Sequence, residues 1–240
     1  MQVLEKTGVF VEDQPARELL GSCGARVDEK KSIVKLPSSL VEDAIQSAPE
    51  KVMLVGRTPD QDVLLDNSAN AYLNFGGGIN VVDPHTGVVR PSTKADLAAS
   101  ARLCDALKAV NVYSRAVYPL DQPQKVLHLH TAEASLNNTT KHSFHSTEST
   151  WETERIIEMA AAAVGGAENL KTRKPISFNA AVSSPLKMSR KFCETIMTAS
   201  RAGFSANIAS MVMAGGTGPV NLAGVLVQTN AEILAGIVLS

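Results

Sequence analysis

The spacing of apolar residues changes twice along the chain. In residues 1–50 apolar positions recur every three or four residues, a spacing typical of helices that pack on a core. Residues 51–91 contain short apolar runs separated by turn-forming residues, which predict small antiparallel β hairpins. From residue 92 onward, short apolar runs alternate with longer helical patterns, so this region predicts repeated β-α units.

The repeated units favour an α/β fold, because parallel strands need crossover connections of helical length. Four units of this kind fit either a small doubly wound sheet or the first half of an eight-fold β/α barrel. The predicted helices span 94–108, 124–136, 150–164, 189–202 and 219–239, and the predicted strands span 111–117, 140–144, 175–182 and 205–210.

The last predicted helix is apolar on nearly every side. Its sequence from Leu222 to Leu239 is interrupted by only four polar residues and two glycines, so it needs cover from a larger structure. We therefore expect the N-terminal half of a (β/α)8 TIM-like barrel in residues 92–240, in a chain truncated at residue 240. Residues 1–91 are expected to form a small helical and antiparallel β region before the barrel.

Composition and charge exclude several classes of protein. The 23 basic and 24 acidic residues leave a net charge of −1, which argues against nucleic-acid binding. Three widely spaced cysteines argue against a disulfide scaffold and a cysteine-rich metal site, and they suit a reducing compartment. The N-terminal residues carry charges throughout, and no uninterrupted apolar run is long enough to cross a bilayer. We expect a cytoplasmic protein without a membrane partner or a bound metal.

Two glycine-rich segments are candidates for ligand contact. Gly76, Gly77 and Gly78 lack the spacing and the following helix that a dinucleotide-binding turn requires. They predict either a tight bend or a close approach of the backbone to a ligand at the mouth of the barrel. The segment Ala214–Pro219 leads into a helix, so its amides either bind an anion or only form the turn before that helix.

Polar residues near the predicted strand ends are further candidates. Arg115 would bind a substrate carboxylate or form a salt bridge on the barrel rim. His142 and His145 lie at the predicted end of the second strand and predict substrate contact or ordinary hydrogen bonds, since a zinc site needs more ligands. Asn179 lies inside an apolar strand, where it must bond to neighbours or to a ligand.

Aromatic residues near the strand ends either pack in the core or face an ammonium group. This group consists of Phe75, Tyr113, Phe144 and Phe178.

Nine segments, in order along the whole chain, resemble one known family. They are EKTGVFVED, GARVDEKKSIVKLP, APEKVMLVGRTPD, FGGGINVVDPHTG, ADLAASARLCDAL, NNTTKH, AAAAVGGAENLKTRKPISF, SSPLKMS and MVMAGGTGPVNLAGVLVQTNAEILAGIVL. Together they resemble the trimethylamine methyltransferase family of corrinoid-dependent methyltransferases. The resemblance implies a β/α barrel of which this chain contains about the first half.

The resemblance also implies an activity. Family members move a methyl group from a tertiary or quaternary amine to the cobalt of a corrinoid (cobalamin) on a cognate partner protein, as in methanogenesis from trimethylamine. This chain is then expected to bind no cofactor itself and to belong to a homo-oligomer at full length. Some members contain pyrrolysine in the second half of the chain, so the subclass and the catalytic residues stay unassigned.

Strand-end position alone suggests how the candidates would serve that activity. Arg115, His142 and His145 would bind a substrate carboxylate, Phe144 and Phe178 would face the ammonium group, and Gly76–Gly78 would lie at the rim. A catalytically silent barrel fragment that acts as a ligand-binding or assembly module is the alternative. An unrelated β/α enzyme is a third, and it would require a Schiff-base lysine or a phosphate clamp.

Overall fold

The computed structural model describes residues Met1–Ser240 and contains α-helices and β-strands in mixed order. The helices are α1 (Gln2–Lys6), α2 (Gln14–Ser22), α3 (Ser38–Ser47), α4 (Lys94–Ala106), α5 (Leu127–Asn138), α6 (Thr150–Ala163), α7 (Ala167–Thr172), α8 (Arg190–Arg201) and α9 (Leu222–Leu239). The strands are β1 (Val9–Val11), β2 (Arg26–Asp28), β3 (Ile33–Lys35), β4 (Val52–Leu54), β5 (Val63–Leu65), β6 (Asn80–Val82), β7 (Val89–Pro91), β8 (Tyr113–Ser114), β9 (Ser143–His145), β10 (Ile176–Val182), β11 (Lys187–Met188) and β12 (Ala206–Ser210).

Residue packing divides the chain into two compact units that do not follow chain order. The first unit contains residues 1–49, 148–150 and 179–240, and the second contains residues 50–147 and 151–178. The domains 1–91 and 92–240 proposed from the sequence stay a prediction.

The first unit is built on a four-stranded sheet. Strand β1 pairs in parallel with β11 and antiparallel with β3, and β2 completes the sheet beside β3. Helix α2 begins at its N-cap Asp13, whose carboxylate accepts the amide of Ala16, and a proline occupies its first turn. The core of this unit includes the fully buried side chains Leu4, Leu20, Leu36, Met188 and Ile196.

Helix α9 in the first unit is buried along one part of its length only. Its C-terminal half packs on α8 and β12, and a Cβ on Gly236 would lie 2.7 Å from Cγ2 of Ile208. Its N-terminal half is open, since Leu222 is 77% and Leu226 68% exposed. The first two turns of α9 are therefore exposed, and the expectation that this helix needs cover from a larger structure stays a prediction.

Helix α9 also meets the length and composition requirements for crossing a bilayer. Its 18 residues have a mean hydropathy of 1.7, and 28% of them are buried. Helices at the centre of globular proteins meet the same requirements, so this is weak evidence for a membrane span. The absence of a membrane partner stays a prediction.

The second unit contains the parallel strands predicted from the β-α pattern. Strand β9 pairs in parallel with β8 on one side and with residues 176–178 of β10 on the other. Helices α4 and α5 pack on each other and on this sheet. The N-cap of α4 is Thr93, which forms a reciprocal capping box with Asp96, and the helix begins at Lys94 as predicted.

The segment 73–78 differs from its predicted antiparallel setting. Hairpins β4–β5 and β6–β7 are antiparallel as predicted. Between them, however, Leu73 and Gly78 form parallel bridges with Val112 and Val117. This segment therefore extends the parallel arrangement by one chain segment beside β8. The α/β class is confirmed, and the described strands do not close into a barrel.

Candidate functional site

The register of the parallel strands assigns the candidate side chains to two faces. Ser143 of β9 pairs with Tyr113 of β8 on one side and with Ile176 of β10 on the other. Two residues further along, His145 pairs with Phe178. Because side chains two residues apart in a strand point to the same side, all five residues share one face of the sheet. Tyr113 packs against α4 and α5, which shows that helices cover this face. His145 and Phe178 are therefore buried beneath helices, at 2% and 0% exposure.

The opposite face of these strands carries Ser114, Phe144 and Ser177. Phe144 is half-buried, and its ring meets the His142 ring edge-on at 5.7 Å between centroids. Of the two phenylalanines expected to face an ammonium group, the structure places only Phe144 on this face.

His142 immediately precedes β9, whereas the sequence places it near the end of that strand. Its Nδ1 lies 2.9 Å from the carbonyl oxygen of Val55, which can only accept, so Nδ1 carries the proton. Its Nε2 then accepts the hydroxyl of Ser177 at 2.8 Å. Burial lowers the pKa of His142 to about 4, so the ring is neutral at pH 7. This arrangement joins three segments of the second unit.

His145 is the second buried histidine of β9. Its Nε2 lies 2.9 Å from Oγ of Ser143, and its buried Nδ1 has no hydrogen-bond partner. Burial, followed by the charges of His142 and Arg115, lowers the pKa of His145 to about 3. The imidazole of His145 is therefore neutral at pH 7, and the positive charge of Arg115 contributes to the lowering of its pKa.

Arg115 follows β8 at the carboxyl end of the strand. Its guanidinium carbon lies 3.8 Å from the centroid of the Tyr118 ring, a cation–π contact that orients the side chain. Its carbonyl oxygen accepts the amide of Gly77 at 3.0 Å. The charged end of Arg115 is therefore held at the same strand end as the glycine triplet.

The glycine triplet allows two backbones to approach closely. A Cβ on Gly76 would lie 2.4 Å from the carbonyl oxygen of Arg115, so no other residue fits without a shift. The amide of Gly78 donates to Ala116 at 3.0 Å. Phe75, immediately before the triplet, is 91% exposed. The close approach accounts for Gly76, and the φ of +90° accounts for Gly77.

Asn179 lies in the part of β10 that belongs to the first unit. Its Oδ1 accepts a hydrogen bond from Nδ2 of Asn207 on β12 at 2.9 Å. Each amide keeps further hydrogen-bonding capacity beyond this pair. Sequence reasoning missed Asn207, although it is also an amide within an apolar strand.

The loop Ala214–Pro219 bonds to itself rather than presenting its amides. The amides of Gly216, Thr217 and Gly218 all donate to the carbonyl of Met213 at 3.0 Å. Helix α9 begins only at Leu222, with Asn221 as its N-cap. Of the two interpretations of this loop, the turn is the one supported.

Lys141 is a buried lysine that the sequence places beside the histidines. Its Nζ donates to the carbonyls of Cys104 at 2.6 Å and Leu107 at 2.8 Å, at the end of α4. Burial lowers its pKa. Both bonds satisfy carbonyls that a helix end leaves open, so Lys141 is engaged as a helix cap.

A cavity of about 370 Å³ in the second unit is lined in part by Arg57, Thr140 and Arg173. It lies beside residues that precede β9 and β10, away from the strand ends where α/β proteins bind ligands. Arg57 donates to the carbonyl of Leu136 at 2.6 Å, and Arg173 pairs with Asp62 at 2.8 Å. Both guanidinium groups thus hold structural contacts.

Comparison with known proteins identifies relatives over the complete sequence. The family described as trimethylamine methyltransferase (MTTB) matches residues 1–240. The trimethylamine methyltransferase MttB of Desulfitobacterium hafniense (strain DSM 10664 / DCB-2) is 42% identical over 240 residues, covering 100% of this chain and 48% of that protein. The trimethylamine methyltransferase MttB2 of Methanosarcina mazei is 36% identical over 245 residues, covering 100% of this chain and 50% of that protein.

A relative with a different named substrate also matches. The glycine betaine methyltransferase of Desulfitobacterium hafniense (strain Y51) is 34% identical over 242 residues, covering 100% of this chain and 50% of that protein. The chain spans about half the length of the curated relatives it matches. Because the family match covers every residue, the chain belongs to the trimethylamine methyltransferase (MTTB) family.

Proposed function

We propose that this chain supplies the amine-binding part of an enzyme that moves a methyl group from a tertiary or quaternary amine to a corrinoid (cobalamin) on a partner protein. The observation that carries the proposal is the family match over residues 1–240. Relatives named for trimethylamine and for glycine betaine support an N-methylated amine as the substrate class.

The proposed setting is the first half of an eight-fold β/α barrel. Residues 73–78, β8, β9 and β10 follow one another as parallel neighbours, with α4, α5 and α6 between them in the chain. The order β10–α8–β12–α9 then continues the alternation. Ligands of such barrels bind at the carboxyl ends of the strands.

The chemistry of methyl transfer sets what these residues must do. The bond between nitrogen and the transferred methyl carbon breaks, and its electron pair remains on the nitrogen. A quaternary amine then leaves as a neutral tertiary amine and needs no proton, whereas a tertiary amine must first be activated. The task of this chain is to hold the amine in line with the methyl acceptor and to exclude water.

Three features at the strand ends suit that task. Arg115 would bind the carboxylate of a betaine, with Tyr118 orienting its guanidinium group. Phe144 and the exposed Phe75 would face the ammonium group. Gly76–Gly78 would form the rim.

The remaining candidates receive other assignments. Asn179, with Asn207, would contribute hydrogen bonds to the amine's polar substituents. We assign His142, His145 and Phe178 to holding the strands, because all three are buried. The corrinoid protein as partner, a homo-oligomeric state and a cytoplasmic location remain predictions from the sequence.

The test is methyl transfer to reduced cobalamin. The protein expressed from its own gene is incubated with cob(I)alamin and, in turn, trimethylamine, glycine betaine and carnitine, and methylation of cobalt is followed by absorbance. We expect methyl transfer from at least one of these amines and none when no amine is added. Silence with every amine would contradict the proposal, and amine binding without transfer would favour the silent binding module.

A further inference from the structure

Glu232 is a fully buried acidic residue in the apolar helix α9. Its Oε2 accepts the hydroxyls of Ser184 at 2.7 Å and Ser210 at 2.5 Å. Its Oε1 accepts the amide of Leu186 and the side-chain amide of Gln228, each at 2.9 Å. Each carboxylate oxygen therefore accepts two hydrogen bonds.

The donors belong to the segments that follow two strands. Ser184 and Leu186 lie after β10, and Ser210 is the last residue of β12. Gln228 also donates to the carbonyl of Thr217 at 2.9 Å, in the loop between β12 and α9. One carboxylate thus holds the chain where it leaves each of two strands.

The cost of burying this carboxylate argues for a geometric role. A buried carboxylate loses its hydration, and here all four partners are neutral donors with no basic side chain among them. A leucine would avoid that cost, but it would leave four donors without their acceptor. What the carboxylate adds is a fixed position for four donors at once.

We propose that Glu232 is a positioning residue that fixes the segments 183–188 and 210–218 at the carboxyl ends of β10 and β12 for binding of the amine. This inference rests on the proposed function, because ligands of parallel α/β sheets bind outside the carboxyl ends of the strands, where both segments begin. Glu232 acts through Ser184, Ser210 and Gln228 rather than by touching the amine.

Hydrogen exchange followed by mass spectrometry tests the structural part without any activity. Ser184→Ala should speed exchange about tenfold in residues 183–188 and in their partner amides Phe10 and Glu12, but not in residues 210–218. Ser210→Ala should do so in residues 210–218 but not in residues 183–188. Glu232→Ala should speed both together. Asn230→Ala, an exposed change on the same helix, should alter neither segment.

Glu232→Gln provides a conservative rescue if the alanine variant does not fold. A glutamine keeps one acceptor for Leu186 and Gln228 and turns its NH2 toward the two serines, whose oxygens can accept. Both segments should then stay within threefold of the wild-type exchange rate. Unchanged exchange in the two single serine variants would overturn the proposal, as would a uniform rise that includes α4 and α5 of the second unit.

Methyl-transfer kinetics test the positioning role. Ser184→Ala and Ser210→Ala should each raise KM for the amine about fivefold while kcat changes less than twofold. If exchange in the two segments is faster in these variants but KM for the amine is unchanged, Glu232 is not a positioning residue. Silence of the wild-type protein with every amine would instead contradict the proposed function, while the exchange data would still decide whether Glu232 holds the two segments.

Discussion

The imidazole of His142 joins β9 to β10 through Ser177, whose hydroxyl donates to Nε2 at 2.8 Å. On its other side Nδ1 donates to Val55 next to β4. Protonation of the ring would place a second hydrogen on Nε2, leaving a charge in a site where only 2% of the residue is exposed. The hydrogen-bond pattern and the burial therefore both favour the neutral ring.

We expect His142 to make the protein sensitive to mild acid. Its pKa is about 4 in the folded chain against 6.5 for the free group. Below pH 6.5 the unfolded chain takes up a proton that the folded chain does not, so the free energy of unfolding falls until about pH 4. Between pH 7 and pH 5 this loss is about 2 kcal/mol from His142.

Urea unfolding at pH 7 and pH 5 measures this loss. The variant His142→Gln should lose about 2 kcal/mol less than the wild-type protein over the same interval, whatever its stability at pH 7. His85→Gln, at an exposed turn, is the control and should keep the wild-type difference. Equal pH dependence in all three proteins would show that His142 does not remain neutral when folded.

Gly76→Ala is expected to destabilise the second unit. The new Cβ would lie 2.4 Å from the carbonyl oxygen of Arg115, so the two paired backbones would have to separate. Overpacking of this kind costs about 1–3 kcal/mol. Gly216→Ala is the control, because its Cβ would make only ordinary contacts, the shortest at 3.5 Å. A denaturation midpoint that stays unchanged for Gly76→Ala would contradict the close approach.

Local signals explain which elements the sequence predicts correctly. The capping box of Thr93 and Asp96 lies within one helical turn, so residue types alone indicate where α4 begins. The pairing of Leu73 with Val112 joins residues far apart in the chain, and a short apolar run does not state its partner. Parallel strands also bury both faces, so periodicity did not separate the face of Phe144 from that of Phe178.

The prediction of a site residue depends on where a strand begins and ends, more than the prediction of a helix does. The predicted second strand begins at Thr140, and the observed strand begins at Ser143, so His142 lies just before the strand and not near its end. Glu232 received no prediction because its partners Ser184 and Ser210 are distant in sequence. No residue pattern within α9 indicates that a polar position points to two loops.

The ion pair between Arg90 and Asp96 should add stability that is lost in acid. The hydrogen bonds of Arg90, followed by that of Thr93, hold the pKa of Asp96 well below its usual range. Stability from this carboxylate is present above the unfolded pKa near 3.8 and is lost as the pH falls below it. Asp96→Asn also weakens the cap of α4, and we expect it to cost about 1–2 kcal/mol at pH 7.

Thermal unfolding at pH 7 and pH 2.5 checks this expectation. The difference between Asp96→Asn and the wild-type protein should shrink at the lower pH, because the unfolded wild-type chain binds a proton at Asp96 there that the folded chain does not. Asp28→Asn is the control on an exposed strand of the first unit and should have little effect at pH 7. If the stability difference between Asp96→Asn and the wild-type protein is the same at both pH values, the charge of Asp96 contributes nothing to stability.

Arg115→Ala is expected to discriminate between substrates. If its guanidinium binds a carboxylate, the variant should lose about tenfold or more in kcat/KM for glycine betaine and less than threefold for trimethylamine, which has no carboxylate. Tyr118→Leu removes the ring that orients the guanidinium and should give a smaller loss with the same selectivity. Arg26→Ala, exposed in the first unit, is the control and should behave as the wild-type protein. Because Arg115 also lies near the buried His145, thermal unfolding must accompany the kinetics. An equal loss for both amines, with a lowered Tm, would assign Arg115 to strand packing instead of substrate binding.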